Sequence, residues 1–342
     1  MSMKSLLLRC LLATAIVVES VSPADAAKLK FATLAPEGSP WLNKWKEVAA
    51  DFEKTSPVPV KIVSYPGGVM GDEPDMVKKL KFGQLQMLGV TVSGIAQLMP
   101  EILVLNLPFL FNNYQEVDYV LDQIFPEFQK LAEKRGLFLV GMLDQGMIEA
   151  FSKKRVRTAD EFLKQRVWIW NADPVAIKLA KALSINAVML SVPDVLTSLQ
   201  TGLVDTMFSS TTALISLQWQ TQMKYFYRFK LRYDPAAFFI STKAIKKVAP
   251  GKEELFKESI RHTVDKYFKP FLTELRQTEK DLAKKIVAGG IQEVRWDEAG
   301  VAPVREKAVK VWDELAGDLY PAELLAKVKS ALVDYRTAHP GK

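Results

Sequence analysis

Over residues 252–288 apolar side chains recur at helical spacing: Leu255, Phe256, Ile260, Val264, Tyr267, Phe268, Phe271, Leu275, Leu282 and Ile286. Gly289-Gly290 stops the pattern, and Pro270 inside it is expected to bend it. A helix of about 36 residues is about 54 Å long, more than one domain of ordinary size needs. It predicts a strut lying across two lobes. The chain ahead of it has room for two lobes, because short β-rich runs alternate twice over with amphipathic helical segments.

The first unit predicts a strand over 29–34 and a helix opening at Ser39-Pro40, with Trp41, Trp45, Val48, Ala49 and Phe52 on one face. A strand over 60–63, a Gly-rich turn, a helix over 73–82 and an apolar strand over 87–92 follow. This unit runs to about Leu143. The second unit starts with a capping box, Thr158-Ala-Asp-Glu161, before a strand over 167–170. Asp173-Pro174 opens a helix to about Leu183, and Ser191-Val-Pro-Asp194 caps another that ends at Gly202. Strands are predicted over 203–208 and 236–241. Such alternation with short connections implies an α/β fold whose mostly parallel sheets are flanked by helices.

The first residues have a different role. Lys4 and Arg9 precede an apolar run over 10–18, and Ser22-Pro-Ala-Asp-Ala-Ala27 places small residues at −3 and −1 for cleavage after Ala26. This is the pattern of a secretory signal, and it predicts a periplasmic protein cleaved near Ala26. The single cysteine, Cys10, falls within that signal. The net charge of +7 comes from basic residues scattered among acids, the pattern of solvated helix faces rather than of a nucleic-acid surface.

Chemistry-bearing motifs are missing. The chain has no G-x-S-x-G, G-x-x-x-x-G-K-[ST], H-E-x-x-H or C-x-x-C, and its two histidines, His262 and His339, lack ligand spacing. The expectation is therefore a binding protein with no catalytic residue, metal, cofactor or nucleic-acid partner. Ligands of open α/β sheets sit at the carboxyl ends of the strands, where two lobes can close over them.

Four segments resemble one family. Leu29-Lys-Phe-Ala-Thr-Leu-Ala-Pro-Glu-Gly38 is similar to the first strand and loop of the solute-binding proteins of tripartite ATP-independent periplasmic (TRAP) transporters. Tyr65-Pro-Gly-Gly-Val-Met-Gly-Asp-Glu73 resembles their P-x-G-x-L-G turn, Leu105-Asn-Leu-Pro-Phe-Leu-Phe111 their L-P-F-L-F segment, and Leu199-Gln-Thr-Gly-Leu-Val-Asp205 their L-Q-T-G-x-V-D junction. The resemblance implies a two-lobed Venus-flytrap fold spanned by the long late helix. Residues 1–26 are then the signal, 27–146 with about 237–270 lobe I, and 147–236 with about 271–342 lobe II. The implied partners are a small-molecule ligand and the membrane subunits of a TRAP permease, with the receptor itself a monomer. A periplasmic sensor, or a carrier of hydrophobic ligands that feeds no permease, is the alternative.

The resemblance also exposes a departure. The family commonly clamps a ligand carboxylate with an Arg on a second-lobe strand. Counting from Thr158 that position falls on Trp168, and counting from Pro174 it falls on Ile169. Arg166, two residues earlier, is a lesser candidate for an anion anchor. The family's Q-E-N-P becomes Met207-Phe-Ser-Ser210. A tryptophan cannot replace a guanidinium fork, so the pocket is expected to be more apolar and aromatic. The predicted ligand stacks on Trp168 and Trp170, beside Phe208 and Tyr233, unless these tryptophans are plain strand core. Ser209, Ser210 and Asn171 are expected to bind its polar end. The remaining cleft candidates are Glu37, Ser39, Glu73, Ser93, Phe109 and Gln145, with Thr211 and Asp234 on the second-lobe rim. Each polar one could instead be a cap or turn residue.

Overall fold

The computed structural model describes residues 26–340, so the expected export signal lies outside the described residues except for Ala26. One nine-stranded sheet organises the chain. Its strands are β1 (Ala27–Thr33), β2 (Val60–Tyr65), β3 (Met87–Val90), β4 (Leu137–Ser152), β5 (Val167–Trp170), β6 (Ala187–Leu190), β7 (Thr206–Ser209), β8 (Tyr225–Ser241) and β9 (Gln292–Val294). They lie in the order β2-β1-β3-β8-β4-β7-β5-β6, with β9 beside β8. Two parallel groups, β2-β1-β3 and β7-β5-β6, flank the long antiparallel pair β8-β4. That pair joins the two lobes of this α/β fold. The parallel groups are the two strand–helix units of the sequence.

The helix Glu253–Ala288 continues through Pro270 and does span both halves. Its Phe256, Ile260, Phe268 and Leu275 pack with Leu29, Phe31, Trp45 and Phe52 in one core. Its Ala283 and Ile286 belong to the other core, with Phe162, Trp168 and Met207. Three of the expected caps form, whereas Ser191 and Asp194 give the helix Val195–Thr201 no side-chain cap, Ser191 O–H donating to the Asp194 carboxylate instead. Ser39 Oγ accepts from Leu42 N–H, Asp173 Oδ1 from Ala176 N–H, and Thr158 Oγ1 from Glu161 N–H. The Glu161 carboxylate reaches back to Arg157 N–H rather than to Thr158, so the box is only half closed.

Several strand bounds differ from expectation. β3 ends at Val90, because the helix Val92–Leu98 starts directly after Thr91, whose N–H and O–H go to the Glu73 carboxylate. β7 begins at Thr206 rather than 203, because the helix Val195–Thr201 ends in a turn at Gly202 and Asp205 is held by Arg166 N–H and its guanidinium. β8 begins at Tyr225, far ahead of the expected residue 236. Where β4 and β8 pass from one half to the other, the register shifts between Asp144 and Gly146. Pro235, which has no N–H to give, sits opposite Asp144 at that shift. Gly146 has φ +126, and a Cβ there would lie 2.9 Å from Ser210 Cβ, so only glycine fits this crossing.

Arg276 of the long helix pins the same place, bonding Asp144 on β4 and Asp118 on the helix Tyr114–Lys134. Beside it, Tyr114 O–H donates to Glu279 (2.6 Å).

Candidate functional site

At the carboxyl ends of both parallel groups the sheet opens into a cavity of about 160 Å³. The first half contributes the chain after β1 (Thr33 to Pro36), Trp41 and Trp45 from the helix Pro40–Thr55, and Gly89 to Val92. The second half contributes Trp168 to Trp170 of β5, Phe208 and Ser209 of β7, Ser210 directly after it, and Trp219. β4 and β8 form the back, with Gln145, Ile148, Leu231, Arg232, Asp234 and Phe238. The walls are mostly apolar, with aromatic rings from both halves. Phe31 stacks on Trp45 at 4.0 Å, Trp45 lies 4.8 Å from Phe238, and Trp168 meets Trp219 edge-on at 5.1 Å. Gly89 makes this possible, since a Cβ there would come within 2.9 Å of both the Phe31 and Phe238 rings.

Glu73, Gln145, Trp168, Trp170, Phe208, Ser209, Ser210 and Asp234 line the cavity as expected. Both tryptophans face it, but their N–H groups are occupied. Trp168 Nε1 donates to Leu190 O (3.2 Å), and Trp170 Nε1 reaches across the cleft to Asp72 Oδ2 (2.9 Å). What they offer a ligand is therefore ring surface. The serines are partly used as well, Ser209 O–H donating to Ser210 O and Ser210 Oγ capping Ala213 N–H.

The other candidates are elsewhere. Glu37 pairs with Lys46 on the surface, Ser39 is the cap of its helix, and Ser93 is buried away from the cavity. Phe109 packs edge-on against Phe229, and Asn171 is exposed beyond the end of β5. Thr211 turns to Glu149. Tyr233 points to the opposite side of β8 from Arg232 and Asp234, where its O–H donates to Asp144 Oδ1 (2.6 Å). Arg166 is spent on Asp205 outside the cavity, so it anchors nothing there.

Arg232 is the residue that sequence reasoning missed. Its side chain is only 8% exposed, and it borders the cavity. Nη2 donates to Asp173 Oδ2, Nε stands 2.9 Å from Asp234 Oδ1 without hydrogen-bond alignment, and Nη1 has no partner among the described residues. A signal was present in Lys230-Leu-Arg-Tyr-Asp234, where charged residues alternate with apolar ones directly before a purely apolar strand segment.

Burial moves the acids around this site. It pushes the Glu73 carboxyl up to about 7, against hydrogen bonds from Thr91 and Gly94 N–H. Burial likewise raises Asp234 to about 6, against the pull of Arg232, and Glu149 to about 7, against Arg228. Each of these groups keeps its proton in the folded chain at a pH where the unfolded chain, with ordinary carboxyls near 4, has released it. The resulting stability is complete below about pH 4 and is lost as pH rises through 6 and 7. Glu116 and Asp205 are lowered instead, by Arg336 and by Arg166 with Lys154, and weaken the fold only under more acidic conditions. Urea unfolding should thus show a stability lower at pH 8 than at pH 5 by on the order of 3 kcal/mol, the scale of one carboxyl shifted by about two units. Glu73→Gln should flatten that slope. A stability that is flat or rises between those pH values would contradict the assignment.

The model of the bacterial extracellular solute-binding proteins, family 7, matches residues 31–318. The chain belongs to this family. The family's members are extracellular solute-binding proteins. Among curated proteins it is 24% identical over 210 residues to the uncharacterized protein YiiZ of Salmonella typhimurium, covering 60% of this chain and 64% of that protein. It is 26% identical over 172 residues to a solute-binding protein of Chromohalobacter salexigens, covering 50% of each. These matches thus span less than two thirds of the relatives' length.

Solved structures agree in fold over nearly their whole length. A TRAP periplasmic solute-binding protein of Xanthobacter autotrophicus with bound β-D-galacturonate superposes with a TM-score of 0.80 at 18% identity, covering 89% of this chain and 99% of that one. The sugar acid binding protein of Advenella mimigardefordensis with galactonate gives 0.81 at 19%, covering 90% and 98%. A Desulfovibrio salexigens protein with bound orotic acid gives 0.79 at 15%, covering 90% and 99%. No described helix is long and apolar enough to cross a membrane, and no described group of acids, histidines or cysteines is arranged to hold a metal.

Proposed function

We propose that the chain is the periplasmic receptor of a TRAP-type permease, and that its solute is a small organic molecule with a substantial apolar or aromatic part. The observation that carries this reading is the cavity wall: aromatic rings from both halves face each other across it, with Trp168 and Trp170 on the strand where the family commonly carries its arginine. The solutes bound to the similar structures named above are acids, whereas here the guanidinium bordering the cavity is already engaged by two carboxylates. Simple dicarboxylates such as succinate should accordingly bind poorly, since a buried carboxylate would find no free counter-charge. The lobes in this reading divide near Gly146 on β4 and Asp234 on β8, where the register shifts. None of the comparisons favours a sensor or a carrier that feeds no permease.

Mass spectrometry of what co-purifies with the exported protein tests the solute class directly. For the solute so found, Trp168→Ala should cost roughly 1–3 kcal/mol of binding free energy, the scale of losing a large side chain's contact surface. Tight succinate binding that survives Trp168→Ala would overturn the apolar reading.

A further inference from the structure

The cavity of this receptor contains an ion cluster that completes itself. Its charged lining residues are Glu73, Asp173, Arg232 and Asp234, three carboxylates against one guanidinium. Glu73 is turned inward, its oxygens taking Thr91 N–H (2.7 Å), Thr91 O–H (3.0 Å) and Gly94 N–H (2.6 Å). Asp173 and Asp234 both attend Arg232, and neither is free to leave. Asp173 Oδ1 caps the helix Pro174–Ala182 through Ala176 N–H (2.9 Å). Asp234 Oδ1 accepts from Asn106 Nδ2, whose other hydrogen goes to Tyr233 O (2.9 Å). The protein thus supplies Arg232 with two carboxylates fixed by its own scaffold. Nη1 is left without a partner among the described residues, while Nε stands 2.9 Å from Asp234 Oδ1 without hydrogen-bond alignment.

We propose that Arg232 binds an uncharged oxygen acceptor of the solute, a carbonyl, ester or hydroxyl oxygen, through Nη1, while Asp173 and Asp234 hold the positions that a ligand carboxylate would take. This rests on the apolar-solute reading and narrows it to neutral molecules with one oxygen at the Arg232 end. The physical ground is a count of charges. A third carboxylate beside one buried guanidinium has no counter-charge to offset its loss of hydration. A ketone or hydroxyl loses far less hydration and still satisfies a donor that is costly to leave unpaired. A pure hydrocarbon fills the aromatic walls but leaves Nη1 unsatisfied.

Three one-ring probes separate these cases, a ring being a suitable size for a cavity near 160 Å³. Acetophenone carries a neutral acceptor, benzoate a carboxylate and ethylbenzene none. At pH 8, quenching of the cleft tryptophans should show acetophenone binding about tenfold tighter than either of the others, the scale of one hydrogen bond to a charged donor. In Asp234→Asn, one built-in carboxylate is gone, and benzoate should gain about tenfold relative to acetophenone. Circular dichroism checks that this variant folds, and the wild-type ranking decides the matter without it. Ethylbenzene binding as tightly as acetophenone would overturn the role of Arg232 while leaving the apolar reading intact. Benzoate binding best to the wild type would overturn the neutral-ligand inference, and binding of none of the three would overturn the apolar reading and this inference together.

Discussion

Arg232→Met should destabilise the folded chain by about 3–5 kcal/mol at pH 8, the cost of stripping the counter-charge from a buried ion cluster. Methionine fills much the same volume, so lost packing contributes little. The loss comes from Asp173 and Asp234, which stay where Ala176 and Asn106 hold them and face a low-dielectric surrounding alone. The sign of the pH dependence is fixed by the same cause. Burial already raises Asp234 to about 6 with Arg232 in place. Without it the carboxyl rises further, the folded state takes up protons, and the penalty shrinks as pH falls toward 5. Adding Asp234→Asn to Arg232→Met should restore part of the stability at pH 8. Urea unfolding of the wild type and these two variants at pH 5 and 8 measures all of this. A single variant within about 1 kcal/mol of wild type at pH 8 would mean that the cluster is hydrated and the arginine replaceable.

Periodicity made the architecture legible, and charge hid part of the site. The long helix, β5 and the caps at Ser39, Thr158 and Asp173 were readable because each has a strong local signature that tertiary contacts reinforce. The first half of β8 was missed although Tyr225, Tyr227, Phe229, Leu231 and Tyr233 alternate perfectly with partly charged neighbours. Arg228 and Lys230 mask the run as loop-like when strands are sought by hydrophobicity alone. The same mask hid Arg232, whose burial depends on Asp173 from a helix start 59 residues away in sequence. Register on a strand decides side, and this is why Asp234 was placed in the cavity and Tyr233 wrongly with it. Asn171 failed for a related reason: it follows Trp170 by one residue, so strand alternation turns its side chain away from the tryptophan face, and it is exposed. The tryptophans of β5 were the best site signal, because a family resemblance and strand alternation pointed to the same face.

Trp45→Ala should cost a further about 3–5 kcal/mol of stability, the range for removing a large buried aromatic ring. Trp45 is 2% exposed, lies between the Phe31 and Phe238 rings and donates Nε1–H to Ser64 Oγ (3.2 Å). Phe31 of β1, Ser64 of β2 and Phe238 of β8 all meet the helix Pro40–Thr55 at this side chain, so its loss loosens the first half where it carries the cleft. The void left behind borders the ligand cavity, and it is bounded on one side by Gly89, which has no side chain to move in. Collapse is therefore poor, and the full cavity cost is expected rather than a relaxed one. Trp168→Ala is the informative contrast. Trp168 also lines the cavity and is nearly as buried, but its ring meets Trp219 edge-on instead of lying between two rings, so its removal should weaken ligand binding more than folding. Urea midpoints with an unchanged m-value would report both variants on one scale. If Trp45→Ala lost less than about 1.5 kcal/mol, Phe31 and Phe238 would have to close the gap themselves, and the cleft wall would be soft. A soft wall would also lower the selectivity for shape on which an apolar site with one polar contact depends.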